Sequence, residues 1–310
     1  MFDTLGRVLA IFCFIGLGAV LARTKRLMPQ GLDGLSAYFY WLAFPCWLMT
    51  SFARLPHIST GVGISLIAYC AAMIITAVLV SLGVRLIKGP SPDNVAAGMA
   101  SFVNNSAFLG VPIAISLFGP EVSQTGALIV AADFLVLFSL GCAGLSKASG
   151  KTIKLAVWQT LKNPTVIGGL IGILLMLLGI RFPPAAQTAL DLLGKSGAPV
   201  ALVALGGMLG LMPAANLIRP DITSVIAIAG KILIAPLCVA MAMTLLPVLT
   251  HMPVDPLTFK LCVFFSATPT AVSVFIQTRM YGLWFEGAAK TVAQTTVISL
   301  FTLFRLWRFS

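Results

Sequence analysis

Charge is what this chain has least of, and acidic charge above all. Nine Asp and Glu with twenty Lys and Arg amount to 9% of 310 residues, while 59% are apolar. Soluble domains have roughly a quarter of their residues charged. A water-soluble fold is therefore excluded, and most of this apolar surface must meet lipid or other buried helices. The longest polar interval, about Ser146 to Pro164, is too short to bury a core of its own. Histidine is nearly absent: His57 and His251 stand in loops with no metal partner nearby. Cys13, Cys46, Cys70, Cys142, Cys238 and Cys262 lie singly in apolar runs, with no CxxC and no metal-ligand spacing. They read as small buried hydrophobes, so no metal, cofactor or disulfide is expected.

Catalytic signatures are missing too. The sequence has no HExxH, no GxSxG and no paired intramembrane acids, which argues against a membrane-embedded enzyme. It also lacks a Walker-type phosphate loop, which argues against an ATP-driven pump. The net charge of +11 does not point to nucleic acid, because the basic residues are scattered over loops without a basic helix or an aromatic platform.

What is present is a series of apolar runs bounded by charges or by Pro and Gly. They cover approximately 5–22, 34–53, 62–87, 94–118, 122–144, 165–180, 187–211, 221–248, 257–281 and 285–305, giving ten membrane spans. The first lacks the basic flank and small-residue cleavage site of a signal peptide and counts as a span. Gly18 and Gly172, Pro29 and Pro183, and Pro45 and Pro199 share one spacing. Pro90 and Pro247, and Pro112 and Pro269, share another that is three residues longer. The expected organisation is a first five-helix repeat over 1–145, a cytoplasmic linker over 146–164 and a second repeat over 165–310. An odd span count inverts the second repeat relative to the first. Loop charges place both termini on the non-cytoplasmic side, with twelve basic residues on the inner loops against six outside. The linker, with Lys147, Lys151, Lys154 and Trp158, reads either as a short amphipathic helix on the headgroups or as a solvated loop.

Asn104-Asn105-Ser106-Ala107-Phe108-Leu109-Gly110-Val111-Pro112 puts two amides, a glycine and a proline inside the fourth run. Unpartnered amides and freed carbonyls cost several kcal/mol each in hydrocarbon. Such a segment survives only inside protein or beside a water-filled cavity, as in the broken helices of secondary transporters.

Asn105 to Pro112 resembles the fourth-helix motif of the auxin efflux carrier family, and the resemblance extends over the whole chain. It is carried further by Asn163-Pro164, Gly197-Ala198-Pro199, Ala267-Thr268-Pro269-Thr270-Ala271 and the stretch from Thr291 to Thr302. The resemblance implies an all-α polytopic membrane protein of ten helices in a 5+5 inverted repeat, with helices four and nine crossing at proline-broken midpoints. It implies a small organic anion as substrate, malonate or malate among them, in the bacterial malonate/malate-type permease branch, and hence the bacterial inner membrane. The long central loop of the plant members is absent. The ninth-span motif also has no amide to match Asn105, so the two halves of the site differ chemically.

Asn105 is the first choice for substrate contact, with Asn104 and Ser106 beside it. An amide donates to a carboxylate, and a half-helix N-terminus adds a positive dipole end. The plainer alternative is that these amides cap the broken helix. Pro112 and Pro269 are expected to create the breaks, each leaving an upstream carbonyl free, with Thr268 and Thr270 adding hydroxyls. Asp133 and Lys231 fall deep in the fifth and eighth spans, where a charge needs a partner or a wet niche. A coupling role and a purely structural pairing are both open. Gln277 and Gln294 are weaker candidates for such a role and read first as hydrogen-bonding glue between helices. Protons and sodium are both candidate coupling ions, a sodium-coupled organic-anion symporter being the nearest alternative and a membrane sensor without transport a more distant one. A homodimer is compatible with the sequence, which does not separate a dimer surface from lipid-facing residues.

Overall fold

The computed structural model describes the backbone of residues 2–55, 60–211 and 221–308. Apart from an isolated bridge between Asn104 and Thr270, all regular structure among the described residues is helical. The chain divides into two compact units, Met1–Leu55 with Lys151–Arg219, and Pro56–Gly150 with Pro220–Ser310. Each unit draws on both halves of the sequence.

The first unit contains α1 (Phe2–Arg23), α2 (Pro29–Tyr38), α3 (Phe44–Phe52), α9 (Ile153–Leu161), α10 (Pro164–Leu178) and α11 (Pro184–Leu211). A π-wide stretch, Phe39–Ala43, joins α2 to α3. In α10 the start is written in the sequence: Asn163 accepts from the Thr165 N–H at 3.0 Å, and Pro164 sits where no amide donor is needed. α1 packs against α11, and α3 against α10. Both crossings are backbone-close. A Cβ on Gly206 of α11 would fall on the carbonyl of Ile15, and one on Gly168 of α10 would lie 2.7 Å from the Cα of Pro45. Between membrane helices, where lipid is as apolar as leucine, such small-residue contact replaces hydrophobic collapse. The linker region is helical over α9, with Leu155, Val157, Trp158 and Leu161 exposed.

The second unit contains α4 (Thr60–Lys88), α5 (Asp93–Phe102), α6 (Val111–Phe118), α7 (Ser123–Ala132), α8 (Ser139–Ala148), α12 (Ile222–Ala229), α13 (Ala235–Thr250), α14 (Pro256–Ser266), α15 (Val272–Tyr281) and α16 (Phe285–Arg308). α4 packs on α5 and α13, α5 on α8 and α12, and α15 on α16. Asp221 caps α12, accepting from the Ser224 N–H at 3.0 Å and the Ser224 hydroxyl at 2.7 Å. Burial alone would raise this carboxyl, but the Ser224 bonds, with the Lys290 charge and the Thr223 N–H, outweigh it and hold the group below its ordinary value.

Among the described residues, four continuous helical runs are long and apolar enough to cross a bilayer: Thr60–Lys88, Gln124–Ala148, Pro184–Leu211 and Ile222–Thr250. Only 17% of the most apolar window of Ile222–Thr250 is buried, with Leu233, Leu237, Met241 and Val248 facing outward. Water cannot cover such a face without large cost, and lipid can.

Candidate functional site

Two helices of the second unit are interrupted, and their interruptions meet. α5 ends at Phe102, Val103 is extended (φ −93°, ψ 114°), and the chain resumes as a π-wide stretch, Ser106–Gly110, leading into α6. α14 ends at Ser266, and α15 begins at Val272. Between the breaks, Asn105 N–H donates to the Pro269 carbonyl at 2.8 Å, and Ala271 N–H donates to the Val103 carbonyl at 3.1 Å. Backbone groups freed by unwinding thus satisfy one another, which keeps the breaks affordable at membrane depth.

Side chains reinforce the crossing. The Thr270 hydroxyl donates to the Ala100 carbonyl at 2.7 Å, and its N–H reaches the Thr295 hydroxyl at 3.2 Å. Thr268 donates to the Phe265 carbonyl at 2.6 Å, closing the end of α14. Pro269 stands within the second break. Pro112 does not stand at the first: it is the second residue of α6, well past Asn105. The helix widens just before it, with Gly110 N–H bonding the Asn105 carbonyl five residues back at 2.9 Å.

Behind the crossing lies a buried polar cluster built from five elements. Asn104 is its hub and is 1% exposed. Its amide Nδ2 donates to Tyr69 Oη of α4 at 2.6 Å and to Asp133 Oδ1 at 3.2 Å, while Tyr69 Oη donates to Asp133 Oδ1 at 2.8 Å. On the other side Lys231 Nζ donates to Asn104 Oδ1 and to the Ser266 carbonyl, the latter at 2.7 Å. Asp133 and Lys231 therefore form no direct ion pair: the Asn104 carboxamide stands between them, accepting from the ammonium and donating to the carboxylate. Both charges are at most 1% exposed. Asp133 and Lys231 lie on π-wide stretches, Asp133–Phe138 and Gly230–Ile234, and Ser106 opens the third of this unit. A π bulge turns side chains out of the regular helical register and is frequent at functional positions.

Asn105 differs from its neighbour. It is 5% exposed, and its Oδ1 is buried without a hydrogen-bond partner. It does not cap the following helix segment with its side chain. Farther along, Ser273, Gln277 and Thr291 also hold buried polar atoms without partners. Gln277 thus makes no interhelical hydrogen bond, contrary to its reading as glue.

Tyr69, Ser273 and Thr291 are not singled out as site residues in the sequence, whereas Gln277 is a weaker candidate there. The chain has only four tyrosines, and one in the middle of an apolar run was the available signal for Tyr69. Ser273 and Gln277 are four apart, one face of a helix.

Interrupted helices meeting beside a buried charged cluster are a recurrent feature of membrane carriers. The sequence profile described as "Membrane transport protein" matches residues 3–146 and 149–307. The chain belongs to this membrane transport protein family. It corresponds to the auxin efflux carriers whose motifs the sequence resembles, and membership makes the chain a multi-pass membrane protein of a transporter family. A protein of Rhizobium meliloti (strain 1021) named "Putative malonate transporter" is 26% identical over 317 residues, covering 98% of this chain and 94% of that relative.

Proposed function

We propose that this family member is a secondary transporter that moves a small organic anion by alternating access around the crossing of the fourth and ninth spans. In this reading the chain has ten spans in a 5+5 inverted repeat, sits in a bacterial inner membrane and has both termini outside the cytoplasm. The observation that carries the reading is the buried carboxamide of Asn105, placed where the first interrupted helix resumes beside the second break, with its Oδ1 bonded to no protein group. Helix starts present free N–H groups and a positive dipole end, which suit a carboxylate. Asn105 and Ser106 on one side and the crossing backbone at Thr268, Pro269 and Thr270 on the other form the binding region. Asn104 belongs to the charged cluster behind it. The name of the Rhizobium meliloti relative supports malonate as the first anion to test, with malate beside it.

Coupling falls to Asp133 and Lys231. Carbonyls at the C-terminal ends of broken helices serve sodium in other carriers, but here the Ser266 carbonyl already accepts from the Lys231 ammonium. A fixed cation in that position favours proton coupling over sodium. An interior-negative potential of about 100 mV opposes entry of each negative charge by roughly 2.3 kcal/mol, so concentrative uptake of a dianion needs co-transported cations, whereas export runs on the potential alone.

The test is flux of labelled malonate and malate into proteoliposomes holding the parent protein or Asn105→Ala, under a pH gradient, a sodium gradient or a potential alone. Saturable flux in the parent that collapses in the variant is expected, driven by the pH gradient. Equal flux in the two would reduce Asn105 to a structural residue, and no flux of any carboxylate would remove the reading.

A further inference from the structure

One turn into α15 the chain buries a second set of polar atoms. Ser273 Oγ, both amide atoms of Gln277, and Thr291 Oγ1 are shut off from solvent and have no hydrogen-bond partner. Gln277 and Thr291 are fully buried, and Ser273 is 4% exposed. An uncompensated buried amide is costly enough that native proteins rarely tolerate it, so four such atoms in one neighbourhood call for an occupant.

Their placement follows from elements already described. Ser273 and Gln277 are separated by one turn and share a face of α15. α16 returns antiparallel through the short turn after Tyr281, and the bond from Thr270 N–H to the Thr295 hydroxyl sets its register. Thr291, one turn before Thr295 and on the same face of α16, is therefore level with the first turns of α15. The niche begins at the crossing with Ser273 and extends about 6 Å along α15, at 1.5 Å per residue, to Gln277.

Its chemistry selects the occupant. Two hydroxyls and a carboxamide NH2 can donate, beside the one Gln277 oxygen that can only accept. Ser273 sits in the first turn of α15, whose N-cap residue Ala271 supplies no side-chain bond, so the positive end of the helix dipole is uncompensated there. That field repels a cation and attracts a carboxylate. We infer that Ser273, Gln277 and Thr291 form the subsite for the second carboxylate of a dicarboxylate whose first carboxylate lies at the crossing by Asn105. This inference rests on the carrier reading and deepens it, making Gln277 and Thr291 the residues that separate dicarboxylates from monocarboxylates.

The test uses Gln277→Met, which keeps the length of the side chain and replaces an unpartnered polar group with an apolar one, a change that folding tolerates well. Thr291→Val is the second variant, and thermal midpoints verify that both are folded. Initial rates in proteoliposomes are compared for malonate and malate against lactate. The expected result is a rise in dicarboxylate KM of about tenfold or more, the size of one lost charge-assisted hydrogen bond, with lactate KM unchanged within about twofold. Equal effects on both classes, or none, overturn the subsite while the carrier reading stands, as does a parent that moves only monocarboxylates. A parent that moves no carboxylate removes the carrier reading, and the subsite with it.

Discussion

Exchanging Lys231 for Met removes a buried ammonium and leaves the Asp133 carboxylate with neutral neighbours, the Tyr69 hydroxyl and the Asn104 amide among them. Taking away one member of a buried charged pair costs about 3–5 kcal/mol, because the remaining charge stays desolvated without compensation. Asp133→Asn leaves the ammonium stranded in the same way and is expected to cost about as much. The two charges do not touch, so any coupling between them passes through the Asn104 carboxamide. If it does, the double variant, which discharges both positions, loses much less than the sum of the singles, by an interaction energy of about 0.5–3 kcal/mol. The assay is a double-mutant cycle on unfolding free energies in lipid–detergent micelles, read from the fluorescence of the five tryptophans. Costs that add to within about 0.5 kcal/mol would refute the relay through Asn104 and make each charge an independent fixture.

Gly206→Ala is expected to destabilise the first unit by about 1–3 kcal/mol through overpacking against the Ile15 carbonyl; an unchanged thermal midpoint would contradict the close crossing of α1 and α11. Thr270→Val removes the bond to the Ala100 carbonyl and should cost about 1–3 kcal/mol with an acceptor left buried, accompanied by slower flux. Asp221→Ala loses the cap of α12, a change worth about 1 kcal/mol. Because the folded carboxyl is held below its ordinary value, its contribution is full above the unfolded value of about 3.9 and is lost as pH falls through the folded one. The difference in thermal midpoint between parent and variant should therefore shrink below about pH 4, and a difference that grows there would reverse the assignment.

Much of the helical order was legible because membrane helices are written as long apolar runs, and α4, α11 and α16 lie close to the runs that announced them. Pro269 announced the second break. The first break is set at Val103 to Asn105, whereas Pro112 follows a π-wide turn, a backbone adjustment with no local sequence signature of its own. Asp133 and Lys231 stood out because charge is so costly in lipid. Tyr69 did not, since a tyrosine in an apolar run looks like core until a carboxylate is found beside it. The grouping of Met1–Leu55 with Lys151–Arg219 was also illegible, because chain order records neighbours in sequence and not which helices pack together.

The tie between the two interrupted helices is made of main chain: the Asn105 and Ala271 N–H groups and the carbonyls of Pro269 and Val103. No side chain enters those two bonds, and Pro269 takes part through the one polar backbone group a proline keeps. The clasp is therefore indifferent to most exchanges at the positions around it. If the chain works as the proposed carrier, side chains facing the cargo can change, and with them the range of molecules accepted, without loosening this main-chain clasp. A scaffold fastened in this way can acquire new cargo by single substitutions.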